Sequence, residues 1–257
     1  MLELQNLSRS YRGIPAIQNI SFQVGAGEVV GYLGPNGSGK STTVKIITGM
    51  LRPNDGRVIF EGRNIQDDLV KFRATLGYVP EEAHVYTYLS GLEYLQLVGR
   101  LRGMRERVIE AKANQLLQLL ALESWRYSPI SSYSKGMKQR VLIAAALMHD
   151  PKLLIFDEPL SGLDVVSSRL FKDLLEELAA QGKAILYISH VLEVVEQICS
   201  RVIVIANGKI LADAPPSELT RLMQLTNLES VFAQLVKQQD TKVLARELVQ
   251  VMKGTHA

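Results

Sequence analysis

The sequence predicts an α/β fold: a parallel sheet at the core, a small antiparallel β subdomain at the N-terminal end and an inserted helical subdomain. Three observations carry that expectation. A strand pattern, "EVVGYL", runs directly into the glycine-rich stretch "GPNGSGKST", Gly34 to Thr42, and then into a helical pattern. Two near-continuous apolar runs, "KLLIF" and "KAILYIS", are of the kind expected for parallel strands covered on both faces. From about Leu89 to Leu122 apolar residues recur at three- and four-residue spacing, the period of a helix.

Taken in order, "LELQNLSRSY", "IQNISFQV" and "GRVIFEGRNI" read as short strands joined by Gly-containing turns, the antiparallel part. Ser41 to Met50 reads as a helix with Val44, Ile46 and Ile47 facing a core. The helical lobe, about 84 to 150, interrupts the sheet. Between the two apolar runs, "VVSSRLFKDLLEELAAQG" places Val166, Leu170, Leu174 and Leu178 on one stripe and ends in a glycine, so the unit reads strand, helix, strand. "RVIVIANGKILA" reads as a hairpin on an Asn-Gly turn. A polar, helix-prone segment starts near Ser217, and we divide the chain into a domain over 1–222 and a helical tail over 223–257.

With 257 residues, 47% of them hydrophobic, the chain can bury a large core. A net charge of +3 without long like-charge blocks gives no argument for nucleic acid. The single cysteine, Cys199, has no partner for an intrachain disulfide and reads as a buried structural thiol of a reducing compartment. The first residues lack the apolar core of a signal peptide, and the longest apolar run, "VLIAAALM", stops at His149. A soluble chain is expected, reaching a membrane only through a partner.

Gly34, Gly39, Lys40 and Ser41 fit the pattern G-x-x-x-x-G-K-[ST]. Glycines there let backbone N–H groups curl around phosphate oxygens, a lysine reaches the terminal phosphates, and the hydroxyl at the helix start ligates Mg²⁺. The strand in "LLIFDEP" ends in two adjacent carboxylates; Asp157 is placed for the Mg²⁺ shell and Glu158 for polarising the water that attacks a γ-phosphate. His190 closes "LYISH" at the end of the next parallel strand, where open α/β sheets gather ligand groups.

In this order the motifs resemble those of the nucleotide-binding subunit of an ABC transporter, over nearly the whole chain. The telling stretch is "YSKGMKQR", Tyr133 to Arg140, which stands where that family carries a signature commonly written LSGGQQQR. Lys135 replaces the first glycine of its pair and Met137 the glutamine, a form similar to that of an exporter branch. The resemblance implies a phosphate-loop NTPase core that binds and hydrolyses ATP with Mg²⁺. It implies nucleotide contacts from Tyr11, on adenine, and from Gly34, Pro35, Asn36, Gly37, Ser38, Gly39, Lys40, Ser41 and Thr42. Glu158 and His190 are implied at the γ-phosphate, and Ser41 and Asp157 at the metal. In "LGYVPEE" the family's metal-side glutamine is replaced by Glu81, whose carboxylate can still approach the metal but adds negative charge. Ser134 and Gly136, with Asp164 of "SGLD", are implied to act on the nucleotide of a second ATP-binding subunit, in a homodimer or heterodimer. The expected partner is a polytopic membrane permease, with this chain on its cytoplasmic face; "LESVFAQL" is similar to the helical end of exporter-type subunits.

The alternative class is a soluble ABC-type ATPase acting on nucleic acid or a protein complex. Such chains often carry two cassettes, coiled coils or zinc elements, and here there is one motif set, no sustained heptads and no Cys cluster. The arginines of "GRLRGMRER" have Glu106 interleaved and read as a solvated or partner-docking face.

Overall fold

The computed structural model describes residues 1–82 and 85–236. β1 (Leu2–Tyr11) and β2 (Ile14–Val24) form an antiparallel hairpin, and β3 (Val29–Leu33) then enters a second sheet as one of its buried inner strands. α1 (Lys40–Ile47) follows the glycine-rich loop and turns Val44, Ile46 and Ile47 inward, as their spacing predicts. β4 (Asp55–Phe60) and β5 (Arg63–Asn64) complete the antiparallel sheet in the order β2-β1-β4-β5.

The next two elements were not expected. α2 (Leu69–Ala74), capped by Asp68, leads into β6 (Leu76–Val79), so the first half of "LGYVPEE" is the edge strand of the main sheet. The lobe then contains α3 (Gly91–Leu101), whose start is fixed by a capping box between Ser90 and Glu93, and α4 (Glu106–Leu119). α5 (Lys135–Leu147) belongs to both bodies. It gives Leu142 and Ile143 to the core beneath the sheet and Val141, Ala144 and Ala145 to the core of the lobe.

β7 (Leu153–Asp157), α6 (Val165–Ala180) and β8 (Ala184–Ile188) form the strand-helix-strand unit that was expected. Leu153, Leu154, Ile155 and Phe156 are all fully buried, each such burial contributing about 1.5–3 kcal/mol relative to exposure. The expected stripe on α6 is corrected. Val166 and Leu170 are 78% and 47% exposed, and the buried line is Phe171 and Leu175, with Leu174 and Leu178 at its margin. The Phe171 ring meets Phe156 edge-on at 5.0 Å, and the buried face lies about one residue round from the predicted one.

α7 (Leu192–Ile198), also unexpected, precedes the hairpin of β9 (Arg201–Ala206) and β10 (Lys209–Ala214). The main sheet runs β10-β9-β3-β8-β7-β6, parallel from β9 to β6 with β10 antiparallel at one edge. One face packs on the antiparallel sheet and α1, the other on α5, α6, α7 and two further helices. These are α8 (Pro216–Met223) and α9 (Leu228–Val236); α9 folds back so that Leu228 and Val231 are fully buried beside Val194 and Val195. The remainder of the predicted tail lies outside the described residues. Cys199 is buried in this second core, its thiol pushed up by burial, in keeping with a structural role. Among the described residues no helix is long and apolar enough to cross a membrane.

Candidate functional site

The parallel strands all end at one edge of the sheet, and most of the singled-out side chains collect there. β3 delivers the chain to Gly34, β7 to Asp157 and Glu158, β8 to Ser189 and His190. They enclose a cavity of about 770 Å³, lined by the whole stretch from Gly34 to Thr42 except Ser38, together with Glu81, Asp157, Glu158 and His190.

The loop is a cradle that side chains would fill. A Cβ on Gly34 would stand 2.3 Å from the Ile205 carbonyl and 2.5 Å from Ser38 Oγ, so the loop lies pressed against β9. Gly39 has φ +110°, a backbone that L side chains rarely adopt, and it starts α1 without any side-chain cap. The amides of the first turn of α1 therefore face the cavity region uncapped, a ready site for an anion. Ser38 Oγ is buried with no hydrogen-bond partner.

Lys40 donates from Nζ to the carbonyls of Gly34 at 2.5 Å and Pro35 at 3.1 Å. Burial lowers the pKa of its ammonium, while Glu158, Asp157 and Glu81 pull the other way. The Asp157 carboxyl is raised to about 6, mainly by burial and then by Glu81 and Glu158, against Lys40. A carboxylate so placed gains from any cation brought to it. Glu158 sits in left-handed backbone, φ +50°, and its N–H is held by the Ile188 carbonyl at 2.9 Å. Its Oε1 is 2.8 Å from His190 Nδ1, and Ser189 Oγ donates to its Oε2 at 3.3 Å. Glu158 is nearly buried while His190 projects outward, 77% exposed, so the pair reaches from the core to the surface.

The other predicted residues lie elsewhere. Tyr11, at the end of β1, is 45% exposed outside the lining, with the Arg9 guanidinium over its ring at 5.4 Å. Ser134 caps α5 through Met137 N–H and Asp164 caps α6 through Ser167 N–H. Gly136 packs against Gly162, and neither Ser134, Gly136 nor Asp164 touches the cavity. Sequence reasoning missed Ser189, whose place beside His190 at a strand end was a usable signal. It also missed the wall contributed by Glu229, Phe232 and Ala233 of α9, which only the tertiary fold brings there.

Among the described residues no three His, Cys, Asp or Glu side chains group closely enough to hold a metal by themselves. Ser41 and Asp157, with Glu81 nearby, fit a hard divalent cation that takes its remaining oxygens from a polyphosphate. The set suits a nucleotide bound with its cation.

The family model described as ABC transporter matches residues 17–161. The chain is 37% identical to the "Uncharacterized ABC transporter ATP-binding protein YxlF" of Bacillus subtilis (strain 168), over 93% of this chain and 77% of that one. It is also 37% identical to the "Nod factor export ATP-binding protein I" of Rhizobium leguminosarum bv. viciae, over 85% of this chain and 70% of that one. Among solved structures it resembles the dimeric post-hydrolysis state of the ATP-binding cassette MJ0796 bound to ADP and Pi, with a TM-score of 0.78 and 27% identity over 84% of this chain and 98% of that one. Phosphate cradle, paired carboxylates and family match agree: this chain belongs to the ABC transporter family, as an ATP-binding subunit with ATPase chemistry.

Proposed function

We propose that two ATP-binding chains, a pair of this one or this one with a close relative, close head to tail over two Mg·ATP. The closure drives export through a separate polytopic membrane subunit, on whose cytoplasmic face the chain sits. One observation carries the reading: Ser134, Gly136 and Asp164 share a surface away from the cavity holding Lys40, Glu158 and His190. One chain thus offers two halves of a site that cannot meet each other, and a second chain completes both.

Within each site the glycine loop and the first turn of α1 bind the phosphates, and Lys40 leaves its own loop carbonyls for the terminal oxygens. Ser41 and Asp157, with Glu81 beside them, would hold Mg²⁺, which would supply positive charge to the phosphates. Glu158 accepts the proton of the attacking water on its carboxylate, which His190 Nδ1 and Ser189 Oγ orient. Ser134 and the start of α5 in the second chain close over the γ-phosphate and exclude solvent.

A groove of about 780 Å³ between α2, β6 and the lobe suits the membrane partner. Met50, Val70 and Leu101 lie along it 60%, 82% and 76% exposed, a density of apolar surface that favours a protein contact, with Arg73 and Arg102 among them. The name of the Nod factor relative supports export as the direction.

Glu158→Gln tests the pairing. With saturating Mg·ATP the variant is expected to accumulate a dimer by light scattering, because closure proceeds while water activation fails; a monomer under those conditions refutes head-to-tail closure of two copies. Tagged purification from detergent-solubilised membranes tests the partner: a polytopic protein in stoichiometric amount is expected, and soluble proteins alone refute the transport role.

A further inference from the structure

Lys135 occupies a place where the resembled signature has glycine, and its contacts are specific. Nζ donates to Ser161 Oγ at 2.6 Å, and the stem lies over Gly162, where a Cβ would come within 3.0 Å of Lys135 Cγ and Cδ. Beside it, a Cβ on Gly136 would stand 2.4 Å from the Gly162 carbonyl. Gly162, inside the segment from Glu158 to Asp164, is therefore pressed backbone to backbone on the first turn of α5, with Lys135 laid across it.

The far end of that segment is the reacting carboxylate. Ser161 N–H donates to the Glu158 carbonyl at 3.1 Å and Leu163 N–H to the Leu160 carbonyl at 3.1 Å, so Ser161 closes a tight turn that begins on Glu158. Glu158 needs its left-handed backbone to enter that turn. One side chain thus joins the helix start that serves another chain's nucleotide to the turn that presents this chain's own carboxylate.

We infer that Lys135 is a positioning residue that makes these two half-sites move as one body, so that a change at Glu158 in one site is felt at Ser134 and Gly136 in the other. This rests on the two-chain reading above. The contact demands a long stem and a donor at its tip. Arginine keeps both, methionine keeps the stem alone.

The test starts with amide exchange on the nucleotide-free full chain, which needs no second copy. In Lys135→Met the protection factors of Ser161 and Leu163 are expected to drop about fivefold, the loss of one charge-assisted hydrogen bond at an exposed site. Ser161→Ala should do the same, the double variant no more than either single, and Lys135→Arg should match the parent, with α4 amides unmoved throughout. Unchanged protection at Ser161 and Leu163 in Lys135→Met, or losses that simply add in the double variant, overturns the inference. The second arm places the same substitutions in Glu158→Gln and measures ATP-dependent dimerisation by light scattering. Lys135→Met and Ser161→Ala are each expected to raise the ATP concentration required about fivefold. If Lys135→Met weakens the dimer while Ser161→Ala does not, Lys135 acts on the phosphate directly and the positioning role is refuted. A Glu158→Gln parent that never dimerises refutes the two-chain reading instead, and the exchange result still decides whether Lys135 holds the turn.

Discussion

Gly136→Ala sets two effects of opposite sign against each other. Gly136 lies in the first turn of α5, and helix propensity alone predicts a gain of about 1 kcal/mol for alanine. The new methyl group, however, would stand 2.4 Å from the Gly162 carbonyl, a backbone atom that cannot swing aside as a flexible side-chain end does. Relieving it requires roughly 1 Å of separation between α5 and the 158–164 turn, a shift of the kind that costs about 2–3 kcal/mol in packed regions. The sum is a net loss of about 1–2 kcal/mol. Urea denaturation of the nucleotide-free chain reads it as a lower midpoint at unchanged slope. The same displacement moves Ser134 relative to Asp164, so ATP turnover should fall much further than stability does. A variant as stable as the parent or more so, with normal turnover, would refute the claim that these two backbones are in enforced contact.

Lys40→Ala should weaken ATP binding about a hundredfold, the loss of a strong charge-assisted contact, with the far-UV CD spectrum unchanged; unimpaired affinity in a fluorescent-nucleotide titration would remove the loop's assigned role. His149 offers a pH test of the fold away from the site. Its Nε2 meets the Leu76 carbonyl at 3.0 Å, Nδ1 is buried without a partner, and burial with Arg102 nearby lowers its pKa from 6.5 to about 4. The folded chain thus keeps a neutral imidazole where the unfolded chain takes up a proton. Its contribution to stability is present above pH 6.5 and is lost as the pH falls toward about 4. His149→Gln should flatten that part of the pH dependence in thermal melts, and an unchanged slope would contradict the assignment.

Much of the site could be read from the sequence because its parts are local. A strand, a glycine loop and a helix start are consecutive, and two carboxylates or a histidine at a strand end need only the strand to be recognised. The Asn-Gly hairpin is similarly local: Asn207 and Gly208 have φ +49° and +71°, as the tight turn between β9 and β10 requires. What stayed hidden depends on packing. "LGYV" is a short stretch interrupted by a glycine and reads only as part of a loop, yet it is a strand in which Gly77 faces the Ala146 carbonyl, where a Cβ would stand at 2.6 Å. The face of α6 differs from the expected one because Val166 and Leu170 look as apolar as Phe171 and Leu175, and the choice between them is made by packing on the core that holds Phe156. Lys135 and Ser161 lie 26 residues apart, and no periodicity links them.

The cavity described above is lined by one ammonium, Lys40, and four carboxylates, Glu81, Asp157, Glu158 and Glu229, with Lys40 already donating to its own loop. It is electronegative at rest, although the ligand it takes is a polyanion. The charge balance predicts that a triphosphate whose charge is shared by a divalent cation binds more tightly than a bare one. Equilibrium dialysis of ATP with Mg²⁺ and with a chelator reads this directly, equal affinities being the contrary result. The same balance predicts weaker binding for small phosphate esters that carry no cation.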